Sequence, residues 1–137
     1  MKTASSTVFQ IGSPDSPRYF TLAEANQALP LVKQITRDSY EELEIIKKKL
    51  RNFVPSDPRV VYVERQYEEV VKKWISKLER LGLVVKGLWL VDFDTGDGYL
   101  CWKYPELEVS HYHNYTGGFA ARRPVSEIIE EIHPNWA

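Results

Sequence analysis

At Gly82 the hydrophobic period of this chain changes, and the change confines it to helices followed by a sheet. Before it, Leu22, Ala25, Leu29, Val32, Leu43, Ile46, Leu50 and Phe53 recur at steps of three and four, interrupted where Thr36 and Ser39 fall on the same seam. This predicts one long helix with a polar layer. Thr21 and Glu24 have the spacing of a capping box at its start, and Pro30, which lacks an amide donor, predicts a kink or a restart near Ala28. Lys47, Lys48, Lys49 and Arg51 follow Glu41, Glu42 and Glu44, an order that suits the helix dipole and reads as a solvated helix end. Pro55 to Pro58 form a break, with Asp57 as N-cap and Pro58 at the first helical position. A second helix follows on the stripe Val63, Tyr67, Val70, Val71, Trp74, Leu78 and Leu81, and Gly82 supplies its left-handed end. The two helices make an antiparallel hairpin.

After Gly82, Leu83 to Phe93, Tyr99 to Tyr104 and Leu107 to His113 are rich in β-branched and aromatic residues. They predict three antiparallel strands, with turns at Asp94 to Gly98 and at Pro105 with Glu106. Asn114 to Pro124 reads as a loop containing Gly117 and Gly118, and Ser126 as the cap of a short helix through Ile132. The expected fold is α+β, a long antiparallel helical hairpin packed on a small three-stranded antiparallel sheet. Residues 19–137 form its single domain, preceded by a flexible, Ser- and Pro-containing arm over residues 1–18.

A helix from Thr21 to Phe53 spans roughly 50 Å at ~1.5 Å per residue, more than one partner helix covers. A homodimer through the hairpin is therefore expected. The net charge of −1 argues against a nucleic-acid or polybasic membrane partner, and no window approaches a membrane span. With Cys101 as its single cysteine the chain holds no internal disulfide, which fits a cytoplasmic protein.

Two chemistries compete in the stretch from Gly87 to Val125. His111 and His113 are two apart on a strand, so their rings leave one face ~6.6 Å apart and can converge on an ion. Glu106 or Glu108 can add an oxygen ligand, and Asp92 can contribute from the sheet. The bland alternative is that His113 hydrogen-bonds a buried carboxylate while His111 is an exposed strand residue. Arg122 and Arg123 follow the glycine-containing loop, where guanidinium groups can take a carboxylate or phosphate in two-point geometry. Their bland alternative is an internal ion pair with Glu106, Glu108 or Asp92. Cys101, between Leu100 and Trp102, reads as a small buried hydrophobe, and neither a nucleophile elbow nor a phosphate loop is present.

The segments YFTLAEANQALP, from Tyr19, LVDF, from Leu90, and LCWKYPELEVSHYHNYTGGFAARRP, from Leu100, resemble the bacterial domain-of-unknown-function family 2203. The resemblance places Asp92, Trp102, Glu106, His113, Phe119 and Arg123 on characteristic positions. His111 stands where an aromatic residue is usual, Tyr112 where Trp is, Asn114 where Asp is and Pro105 where Gly is. A shared architecture and site are implied, with no reaction attached. The expected metal set is Asp92, Glu106, Glu108, His111 and His113, with a divalent ion such as zinc as cofactor. The expected ligand-binding set is Arg122, Arg123, Trp102 and Phe119, facing a small anion. The functional expectation is thus an uncharacterised cytoplasmic protein that binds a metal ion or small anion at an Asp/Glu/His/Arg cluster. The alternative is a non-enzymatic scaffold acting through its helices. Whether it is an enzyme is left open, with metal-assisted hydrolysis on a carboxylate base as the chemistry these residues would suit.

Overall fold

Thr21 opens the first helix as its side chain predicts: its Oγ1 accepts from the Glu24 amide at 3.1 Å, and Glu24 Oε1 accepts from the Thr21 amide at 2.9 Å. The computed structural model describes residues 18–137, so all but the last residue of the expected arm lies outside it. Helix α1 (Leu22–Arg51) runs on through Pro30 without restarting. Pro30 is exposed, so its missing donor is lost beside solvent, and the flanking turns hold the helix. Helix α2 (Arg59–Arg80) begins one residue later than expected. Asp57 still receives the Arg59 amide at 2.9 Å, but Pro58 occupies the cap. Gly82, at φ +86, ends it as expected.

The seam of α1 is covered in large part from within the chain, while Leu31 and Ile45 of α1 and Val61 and Tyr62 of α2 remain exposed. Ala25, Leu29 and Val32 are buried with Trp74, Leu78 and the sheet, while Leu43 and Ile46 are buried with Val63 and Val70 farther along the hairpin. The polar layer has a partner too. Trp74 is fully buried and its indole Nε1 donates to Thr36 Oγ1 at 3.0 Å, so the threonine interrupts the seam to satisfy one donor. Thr36→Val keeps the volume and strands that N–H. We expect a loss of about 1–3 kcal/mol in urea unfolding, and an unchanged midpoint would refute the assignment.

Among the described residues the sheet has five strands where three were expected, all antiparallel and in chain order. The first expected strand is two, β1 (Val84–Gly87) and β2 (Leu90–Asp94), reversed at Leu88 and Trp89. Trp89 turns away to pack edge-on against Trp74, with ring centroids 4.9 Å apart, and against Tyr40 at 5.7 Å. Strand β3 (Tyr99–Lys103) matches expectation to within a residue. Strand β4 (His111–His113) is shorter than expected because the preceding backbone is bonded elsewhere. Asn26 of α1 accepts from the Val109 amide at 2.8 Å and donates to its carbonyl at 3.2 Å, taking the place of a neighbouring strand. Strand β5 (Arg123–Pro124) comes from the expected loop and leads directly into α3 (Val125–Ile132), so Ser126 lies inside that helix and does not cap it.

Alternation gives the sheet two unlike faces. Val91, Phe93, Leu100 and Trp102 are fully buried and point to the helices, a contribution of roughly 1.5–3 kcal/mol for each such large apolar side chain. The other face carries Asp92, Cys101 and His111 in one cross-strand row, and Asp94, Tyr99 and His113 in the next. Among the described residues no helix is long and apolar enough to cross a membrane.

Candidate functional site

The polar face is roofed by the segment between β4 and β5. Tyr115 donates to Asp94 at 2.7 Å and packs edge-on against Tyr99, while Phe119 lies under the Arg122 guanidinium, 4.2 Å from its ring centre. Beneath this cover Asp92 is completely buried. Its Oδ2 stands 3.0 Å from His113 Nε2 and 3.9 Å from Lys86 Nζ, and its Oδ1 has no hydrogen-bond partner among the described residues. The Asp92 carboxylate, the Cys101 thiol and the His113 ring offer ligand atoms that all lie within 4.8 Å of one another.

The tautomer of His113 follows from its second nitrogen. Nδ1 stands 2.8 Å from the carbonyl oxygen of Asn114, which can only accept, so Nδ1 carries a proton and donates. Nε2 is left facing the carboxylate. A single proton fits between Nε2 and Oδ2. Burial pushes the Asp92 carboxyl above its ordinary range, against the opposing pull of the His113 charge, the Cys101 thiol and Lys86. Burial and the charge of Asp92 likewise push the Cys101 thiol up to about 12, with Arg122 acting the other way. Without a cation the sulfur is therefore a thiol.

The remaining expected residues divide between this cluster and other partners. Glu106 grips Arg122 with two hydrogen bonds, at 3.1 and 2.9 Å, and also accepts from the Lys103 amide at 2.8 Å. Burial pulls the Glu106 carboxyl up, but the Arg122 hydrogen bonds, the Lys103 amide and nearby positive charge hold it below its ordinary value. The expected internal pair is thus present at Arg122. Arg123 instead pairs with Glu127 and Glu131 of α3, outside the cluster. Trp102 faces the core, its Nε1 donating to the Glu106 carbonyl at 2.8 Å. His111 is half-buried beside Ser110, and with exposed Glu108 it lines a separate cleft of about 430 Å³. The two histidines share a face without converging.

Cys101 and Lys86 are the members that pattern reading passed over. The turn centred between Gly96 and Asp97 sets Asp94 opposite Tyr99 and therefore Asp92 opposite Cys101, so the pairing was available from the hairpin register alone. A cavity of about 260 Å³ adjoins Asp92 and His113, bounded by Lys86, Leu90, Gly117, Gly118 and Phe119.

The model of one family, described as an uncharacterized conserved protein (DUF2203), matches residues 18–125. The chain belongs to the DUF2203 family. The match runs from the start of α1 to the start of α3, so it takes in Asp92, Cys101, His113 and the segment that roofs them. It leaves out Glu127 and Glu131, the partners of Arg123. No curated protein and no solved structure matches the chain.

Proposed function

We propose that this DUF2203 protein binds a divalent transition-metal ion, with zinc the best fit, through Asp92, Cys101 and His113 in the cytoplasm, where the thiol stays reduced. The observation that carries the reading is Asp92 Oδ1, a fully buried carboxylate oxygen that makes no hydrogen bond of ordinary geometry among the described residues, in a cluster whose Cys101 and His113 donor atoms lie within 4.8 Å and whose His113 Nδ1 is already committed. A buried polar atom without a partner costs about 1–3 kcal/mol, and a cation removes that cost. One oxygen, one sulfur and one nitrogen donor suit zinc or cobalt better than calcium or magnesium, which prefer oxygen. At bonds of ~2.0–2.2 Å in tetrahedral geometry, nitrogen and oxygen donors sit roughly 3.3 Å apart, so an ion on Oδ1 would need His113 Nε2 to release Oδ2, the oxygen it now faces at 3.0 Å. Coordination would also supply what the buried thiol lacks, since a bound ion stabilises the thiolate. Arg122, held by Glu106, lies near enough to Cys101 to favour that form.

Glu106, Glu108 and His111 are not part of the proposed set, because Glu106 is committed to Arg122 and the other two face a different cleft. The test is titration of untagged protein with cobalt and zinc, read by cobalt absorption and by the metal retained after gel filtration. One equivalent with a thiolate-to-cobalt band is expected. His113→Ala should weaken binding by more than about 100-fold, and His111→Ala by little, since loss of groups that merely support a ligand already costs 10–100-fold. Equal losses, or a larger one at His111, would overturn the assignment.

A further inference from the structure

We infer that the proposed metal centre is the floor of a binding pocket for a small carboxylate, gripped between the ion and the Lys86 ammonium. The inference rests on the metal reading above and adds the ligand. Three protein donors leave at least one position open on an ion that prefers four, and sites built this way admit an exogenous ligand. The space beside them is the cavity of about 260 Å³ adjoining Asp92 and His113, a volume suited to a molecule of a few carbon atoms.

Its walls specify the ligand further. Leu90 and Phe119 are apolar, and at Gly118 an added Cβ would meet nothing within 4 Å, so backbone bounds the space there without a side chain filling it. Lys86 and Asp92 are the charged groups lining it. Lys86 Nζ stands 3.9 Å from Asp92 Oδ2 and 4.6 Å above the Tyr99 ring, and the side chain is 38% exposed, which puts a mobile cation at the rim. With a divalent ion in place, the charges of Asp92 and a Cys101 thiolate cancel the ion, and Glu106 cancels Arg122. Among the groups lining the cavity, the Lys86 charge is then uncompensated. One positive charge beside an open metal position, in a space with apolar walls, selects a monoanion with an oxygen donor. A carboxylate satisfies both, with one oxygen on the ion and the other on the ammonium, whereas phosphate brings excess negative charge and finds no arginine fork, because Arg122 and Arg123 are both paired.

The experiment uses the full chain loaded with cobalt and titrated separately with acetate and inorganic phosphate, following the visible cobalt bands. Acetate should shift them saturably, and phosphate should need higher concentration. Lys86→Met should still take cobalt, and more tightly than wild type because a positive charge 3.9 Å from Asp92 Oδ2 is gone, but require at least about ten-fold more acetate, the loss of one charged hydrogen bond, and Lys86→Arg should recover most of it. Cobalt-loaded wild type whose bands ignore acetate would overturn the pocket. A Lys86→Met response equal to wild type would overturn the role of the lysine, and a preference for phosphate would overturn the ligand class. Wild type that takes no cobalt would sink the metal reading and this inference with it, a result distinct from the other three.

Discussion

Asp92→Asn is expected to lower metal affinity by more than about 100-fold while leaving the metal-free protein as stable as wild type or more so. Asparagine has the same shape and can donate its amide N–H to His113 Nε2, the nitrogen left without a proton once Nδ1 donates to Asn114. It removes a charge from a site where the carboxylate is fully buried and one oxygen is unpartnered. No buried charge is stranded by the change, because His113 with its proton on Nδ1 is neutral and its Nε2 gains the amide as donor. The pH dependence has a definite sign. Burial raises the folded-state pKa of Asp92 despite His113 and Lys86, so the folded protein holds that proton more tightly than the unfolded chain. The resulting stabilisation is complete below the ordinary carboxylate value of ~4 and is lost as pH rises through the folded value. Thermal unfolding of both proteins without metal should show the wild type losing ground to Asp92→Asn as pH increases from 4 toward neutrality. A variant less stable by several kcal/mol at every pH would mean that the carboxylate serves the fold, and the metal reading would lose its main support.

Pattern reading singled out Asp92 and His113 and passed over Cys101 and Lys86. Helices were legible because their physics is local: the Thr21 and Glu24 cap, the three-and-four seam and Gly82 each act within a few residues. The sheet was legible in type and less so in count. Nothing near Val109 announces that its backbone bonds will be met by Asn26, 83 residues earlier, and nothing near Trp89 announces that its ring will leave the sheet for Trp74. Both truncations of the expected strands come from such distant partners. At the site, spacing put His111 and His113 on one face, but convergence depends on what stands opposite each. His111 faces Cys101 across the ladder and His113 faces Tyr99, yet it is the His113 ring that reaches Asp92, while His111 stays beside Ser110. Cys101 was read as a hydrophobe because its neighbours are Leu100 and Trp102. In a strand, though, immediate neighbours face the opposite way, and the informative residue is the one across the hairpin.

Arg122→Ala should destabilise the protein far more than Arg123→Ala, although the family resemblance singles out Arg123. Arg122 is 13% exposed and makes two hydrogen bonds to Glu106, which is itself 28% exposed. Removing the guanidinium strands a carboxylate whose other contacts are the Lys103 amide and limited solvent. A fully buried pair broken on one side costs about 3–5 kcal/mol, and the residual exposure of Glu106 places this one near or below the lower end of that range. More than the pair is lost. Glu106 ties down the turn after β3 through the Lys103 amide and, by its carbonyl, the Trp102 indole, while Arg122 also covers Phe119 on the roof of the site. Arg123 is 44% exposed and bonds Glu127 and Glu131 in solvent, where screening leaves such pairs little net value. The acid limb separates the two further. Because the folded-state pKa of Glu106 is depressed, its contribution is present above the ordinary carboxylate value and disappears as pH falls through the folded value. Urea unfolding from pH 7 down to 3 should therefore show the gap between wild type and Arg122→Ala closing in acid. Equal losses for the two arginine variants at neutral pH, or a gap that stays constant on acidification, would show that the Arg122 and Glu106 pair does not hold the roof over Asp92 and His113.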